Sequence, residues 1–171
     1  MPEIDKEFKK AFKELSKAEH DILNSEELEE KRGERSRKVD MQFVREIMYA
    51  IQSVSIGTQQ VLYFAGLKYS KYFLNDIASD YSECVENMRD IFDKLDVGTL
   101  KDIGDGDQKK LAVEENVLCY EGPEVDKPLC YFISGWIAGF LKGNLGKDFI
   151  VNEVECSATG SERCEFVVRE R

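Results

Sequence analysis

Apolar residues recur at helical spacing through roughly the first hundred positions and take on strand spacing only afterwards. Ile4, Phe8, Ala11, Leu15, Ala18 and Ile22 alternate spacings of four and three, with charges between them and Phe12 beside the stripe. This narrow heptad pattern predicts an amphipathic helix that either packs on its own domain or pairs with a second copy. Residues 25–40 are almost purely charged and read as a solvated helix or linker, so residues 1–40 form an arm and residues 41–171 a domain. Phe43, Val44, Ile47, Met48 and Ile51 begin the globular part as a helix that Gly57 breaks. A second helix is predicted from Thr58 to Ala78, with Val61, Leu62, Phe64, Ala65, Tyr69, Tyr72 and Phe73 on a broad apolar face. A third spans Tyr81 to Leu95, with Cys84, Met88, Ile91 and Phe92 inward.

Strand signals follow. Leu100–Ile103 and Lys110–Cys119 flank Gly104-Asp105-Gly106, a hairpin in which Leu111, Val113, Val117 and Cys119 share a face. After a loop, Asp126 is placed to cap a helix over Pro128–Lys142, with the proline in its first turn. That helix is apolar nearly all round and therefore buried on most sides, and Gly135 and Gly139 let another backbone approach it. Gly143 and Gly146 end it, and Phe149–Cys156 with Arg163–Arg169 make a last hairpin. The expected fold class is α+β: an antiparallel sheet packed with helices, preceded by the N-terminal amphipathic helix.

The 171 residues suffice for one domain and an arm, and an apolar fraction of 42% supplies a core. A formal charge of −10 argues against nucleic acid and anionic membranes as partners. The polar start, Met1 to Lys6, carries no signal peptide, and the apolar run Leu129–Leu141 is too short to span a bilayer. The expected location is cytoplasmic, where five cysteines are metal ligands or inert core residues rather than a disulfide framework. His20, the only histidine, lies in the arm and carries no expected role.

The chemistry concentrates at the end of the chain. Cys156 and Cys164 sit at the two ends of the final hairpin loop, within reach of a shared ion. Glu153 stands three positions before Cys156, so the two converge only if the strand bends near Glu155 and Cys156. Cys130 enters from the first turn of the buried helix, where the helix dipole favours a thiolate. Three thiolates and one carboxylate close a tetrahedral shell, and soft sulfur donors favour zinc over magnesium or calcium. Arg163 and Lys127 are the cations expected to balance the charge, and Cys84 and Cys119 are expected in the core. The competing reading is that the three cysteines are reduced and simply packed.

The stretch from Cys130 to Phe166 resembles the 4-vinyl reductase domain. The resemblance rests on Cys130, the glycines of GWIAG at 135–139, Glu153, Cys156, Cys164 and Phe166, and extends more weakly back to about residue 43. It implies that Cys130, Glu153, Cys156 and Cys164 bind a structural zinc. It also implies a fold shared with vesicle-tethering (TRAPP) subunits and heme nitric-oxide sensors. Some members of the family are sensory domains that bind phenols beside the zinc; others are tied to chlorophyll biosynthesis. Ile133, Ile137, Phe140, Val151 and Phe166 are the expected lining of an apolar pocket, or else simply core. The phenol sensors hold the ligand hydroxyl with a histidine and a tryptophan ahead of the zinc cysteine. Here His20 lies in the arm and Trp136 follows Cys130, so phenol itself is not the expected ligand.

The function expected is a zinc-stabilised sensor or carrier of an apolar or aromatic small molecule, acting as a homodimer. No dinucleotide fingerprint, P-loop or histidine base supports catalysis, and a closed zinc shell leaves no coordination position for substrate. The alternatives are a vinyl-group reductase or its accessory in tetrapyrrole metabolism, and a dimeric assembly module.

Overall fold

A computed structural model describes residues 41–54, 57–74, 78–106, 108–122 and 124–171. The N-terminal arm and its heptad stripe lie outside the described residues. The elements are α1 (Met41–Val54), α2 (Gly57–Tyr69), a 3-10 turn (Ser70–Phe73) and α3 (Tyr81–Leu95). Then come β1 (Thr99–Asp102), β2 (Lys109–Glu114), α4 (Tyr131–Leu145), β3 (Phe149–Glu155), a 3-10 turn (Ser157–Thr159) and β4 (Cys164–Glu170). The four strands form one antiparallel sheet in the order β1-β2-β4-β3, so the expected α+β class is observed.

Burial of α4 organises the rest. Its residues Ile133 to Leu141 are all buried, as expected of a helix without a polar face. Small residues let α2 cross it closely. A Cβ on Gly135 would lie 1.8 Å from the Tyr63 carbonyl oxygen, and one on Gly66 would lie 2.0 Å from that of Phe132. Trp136 stacks on Phe140 and meets Phe92 of α3 edge-on. Leu100, Leu111, Val113, Val151 and Phe166 of the sheet belong to the same core.

α3 spans the range its sequence predicts. Asp80 caps it by accepting from the Glu83 N–H, and Glu83 accepts in return from Ser79 N–H and Oγ, a reciprocal cap.

Four expectations need correction. The helix over Thr58–Ala78 stops at Tyr69, because the chain tightens into a 3-10 turn at Ser70, whose hydroxyl bonds back to the Leu67 carbonyl. Its broad apolar face is only partly buried: α2 meets α4 through Tyr63, Gly66 and Leu67, and Leu62 is buried, while Val61 and Phe64 are exposed. The strand over Lys110–Cys119 ends at Glu114, because Glu115 takes a left-handed conformation (φ 50°) that a strand does not accommodate. The buried helix starts at Tyr131, so Cys130 is its N-cap residue and Asp126 does not cap it. Among the described residues no helix is long and apolar enough to cross a membrane.

Candidate metal centre

Four cysteines meet where the β2 exit turn, the start of α4 and the β3–β4 loop converge. The left-handed Glu115 turns the chain out of the sheet, and residues 116–119 then close a tight turn in which Cys119 and Tyr120 N–H both donate to the Asn116 carbonyl. Asn116 is fully buried, and its side chain accepts from Leu118 N–H (3.1 Å) and donates to Cys130 Sγ (3.3 Å). This turn delivers the Cys119 thiol inward.

Cys130 is fixed by the helix start. Its carbonyl accepts the first α4 hydrogen bond from Ser134, and its N–H donates to Glu153 Oε2 at 2.8 Å. The bend needed to bring Glu153 and Cys156 together is present: the β3–β4 register shifts between Glu153 and Glu155. Cys156 then caps the 3-10 turn, with its carbonyl accepting from the Thr159 N–H and hydroxyl. Cys164 opens β4, and its sulfur accepts from the Ser157 N–H at 3.4 Å.

All four sulfurs lie within 4.8 Å of one another and all four residues are buried. The Cys119–Cys130 sulfurs are 3.1 Å apart, Cys119–Cys156 and Cys130–Cys164 both 3.7 Å, and Cys156–Cys164 4.0 Å. A tetrahedral zinc with bonds of about 2.3 Å sets its sulfurs about 3.8 Å apart, so the donor set fits one tetrahedral ion of this kind. Thiolates also select soft or borderline metals over calcium and magnesium.

The electrostatics of the protein atoms alone mark a site crowded with acidic groups. Burial pushes the Cys130 thiol well above its ordinary range. Hydrogen bonds from Cys119 and Cys130 hold Cys156 down as the favoured anion. Burial, then the Cys156 charge, raises Glu153 to about 10. Several acidic groups thus compete for very little solvation, a conflict that a divalent cation resolves.

The cluster includes Cys119, which the parity of an over-long strand assigns to the core, together with the expected Cys130, Cys156 and Cys164. Glu153 lies outside the four-sulfur group: one oxygen binds the Cys130 N–H and the other has no hydrogen-bond partner among the described residues. The one available signal for Cys119 was Asn116, a residue type that favours a turn over the continuation of a strand. Arg163 spends its charge on Glu165 (2.8 Å) rather than on the sulfurs, and Lys127 is exposed. Cys84 is buried in the core on α3, as expected.

Ile133, Ile137, Phe140, Val151 and Phe166 are all buried in the main core. Two open clefts lie elsewhere. One, of about 500 Å³, runs past Arg45, Asp93, Asp96, Glu115 and Glu121. The other, of about 510 Å³, lies between α1, the start of α2 and residues 125–129, next to Cys130 in the chain. Tyr49, Gln52, Gln59, Val125, Pro128 and Leu129 line it. Gln52 donates to the Leu129 carbonyl, while its buried Oε1 has no partner among the described residues. Burial, then the Cys119 charge, raises the Tyr49 phenol to about 12.

Residues 110–170 match the 4-vinyl reductase domain family. A vinyl-4-reductase family protein from Methanocaldococcus jannaschii is 25% identical, with 88% of this chain and 93% of that one aligned at a TM-score of 0.55. The phenol-responsive sensory domain of the transcription activator PoxR, solved with phenol, aligns over 77% of this chain and 75% of its own at 11% identity and a TM-score of 0.58. A trafficking protein particle complex subunit 3 from Naegleria fowleri, covalently bound to palmitic acid, aligns over 95% and 96% at 16% identity and a TM-score of 0.51. At these identities the last two share the fold alone. The stretch that matches, residues 110–170, supplies all four cysteines of the centre.

Proposed function

We propose that this domain is a zinc-stabilised small-molecule-binding domain, a sensor or carrier in which the ion builds the scaffold and a cleft beside it takes the ligand. The observation that carries the reading is the gathering of four buried sulfurs from three separate parts of the chain onto one point. A shell of four protein donors leaves no position for substrate, so the ion's role is structural. The cleft next to Cys130 has a volume typical of small-molecule sites. Its walls mix apolar surface (Val125, Pro128, Leu129) with the side-chain amides of Gln52 and Gln59, which suits an apolar or aromatic molecule bearing one polar group. A cleft of this size takes a ligand larger than phenol. Phenol and palmitic acid, held by two proteins of the same fold, are both apolar bodies with one polar end.

The test is a thermal-shift screen of zinc-loaded protein against substituted phenols, aromatic acids and fatty acids. A ligand at a hundred times its Kd adds about 2.7 kcal/mol to stability, which is easily read. Gln52→Leu weakens the binding of these hits. No shift from any apolar compound contradicts the reading.

The same reading has the chain act in the cytoplasm as a homodimer. In support, Phe43, Ile47 and Ile51 form an exposed apolar stripe at four-residue spacing on α1. Sedimentation at micromolar concentration checks it; a monomer contradicts it.

A further inference from the structure

We infer that Cys119, and not Glu153, supplies the fourth donor of the metal centre, giving an all-sulfur shell with Glu153 as the carboxyl that positions Cys130. The inference rests on the metal-centre reading above and departs from the cysteine–glutamate–cysteine–cysteine set that the family resemblance implies.

Five donors crowd a centre whose tetrahedral ion takes four. Three observations decide which is left out. First, the four sulfurs are mutually within 4.8 Å, and the carboxylate is not part of that group. Their contacts of 3.1 to 4.0 Å bracket the roughly 3.8 Å edge of a zinc–sulfur tetrahedron.

Second, Glu153 already has a task. Its Oε2 accepts from the Cys130 N–H at 2.8 Å, at the N-cap of α4, where no side chain of the cap residue itself serves the helix. A carboxyl oxygen bonded there fixes the backbone from which the Cys130 sulfur projects.

Third, the turn that carries Cys119 is built for it. Asn116, fully buried, ties the turn to itself through Leu118 N–H and to the centre through Cys130 Sγ. Both of its carbonyl's partners, Cys119 and Tyr120 N–H, hold the same turn closed. A buried asparagine that donates to one sulfur while it positions another is the outer-sphere arrangement expected around a thiolate ligand. The N–H groups of Asn116 and Ser157 also spread the excess negative charge of an all-thiolate shell.

X-ray absorption at the zinc edge of the purified wild-type protein tests this directly. The expected shell is four sulfurs with no oxygen. Three sulfurs and one oxygen overturn the assignment of Cys119 but leave the metal centre standing; absence of metal overturns both. Cobalt-loaded variants give a second reading. Cys119→Ser is expected to lose about a quarter of the sulfur-to-cobalt charge-transfer absorption, one bond of four, while Glu153→Gln keeps it. An unchanged Cys119→Ser spectrum with an altered Glu153→Gln spectrum overturns the inference. Should Cys119→Ser not fold, the wild-type absorption edge still decides.

Discussion

Gly135→Ala is the sharpest test of the scaffold that aims Cys130. The new methyl would lie 1.8 Å from the Tyr63 carbonyl oxygen and 2.7 Å from its carbon, both backbone atoms of α2. Ordinary contact begins near 3.4 Å, so α2 and α4 must separate by about 1.5 Å or shear past each other, since no side chain is there to yield. Overpacking of this kind costs about 1–3 kcal/mol when side chains can adjust, and backbone against backbone belongs at or above the top of that range. Alanine returns about 1 kcal/mol of helix propensity. The net expectation is a loss of about 2 kcal/mol, a fall in Tm of roughly 4–8 °C for a chain of this length. Gly143→Ala is the matched control. Its methyl meets only the Leu74 side chain, which can rotate away, so propensity and crowding should nearly cancel. Both are read by thermal denaturation of the zinc-loaded protein. If Gly135→Ala melts at or above wild type, the close crossing of α2 and α4 is refuted.

Three further outcomes follow from the centre. Complete chelation of the metal should remove on the order of 10 kcal/mol and destabilise the β3–β4 hairpin, as should Cys156→Ser; denaturant unfolding followed by circular dichroism with and without chelator reads it. Asn116→Ala should weaken metal affinity about 10–100-fold by freeing the Cys119 turn and baring Cys130 Sγ, measured by competition with a chromogenic chelator. In metal-free protein Glu153 keeps its proton up to about 10 when folded, against an ordinary 4.5, so the folded state binds more protons across that window. Its stability should therefore be greatest in acid and fall as pH rises toward 10; Glu153→Gln should flatten the fall in denaturant midpoints.

Much of the fold was written in periodicity. α3, the strands β1, β3 and β4 and most of the all-apolar α4 lie where the spacing of apolar residues puts them, because burial enforces a period of 3.6 or 2 with little choice. The convergence of Cys130, Cys156 and Cys164 was legible too, since a helix start and a hairpin loop have few ways to meet. A bend near Glu155 and Cys156 followed from parity once Glu153 and Cys156 were taken to converge, and the register shift lies between Glu153 and Glu155. Cys119 was hidden for the converse reason. Val117 and Cys119 continue the alternation of Leu111 and Val113, and only the left-handed Glu115, a single backbone dihedral, breaks the strand and sends the thiol inward. The early stop of α2 was hidden likewise, since its apolar pattern runs on through Phe73 while the backbone does not. The exposure of Val61 and Phe64 depends on which face of α2 the glycines of α4 accept, a tertiary choice that composition does not record.

The central claim is that Cys119, Cys130, Cys156 and Cys164 hold one metal ion. Elemental analysis of protein purified without added metal or chelator measures it. One equivalent of zinc per chain, lost in Cys156→Ser, is the expected result. Protein that carries no metal and melts at the same temperature with chelator as without would show that the four sulfurs are only packed together.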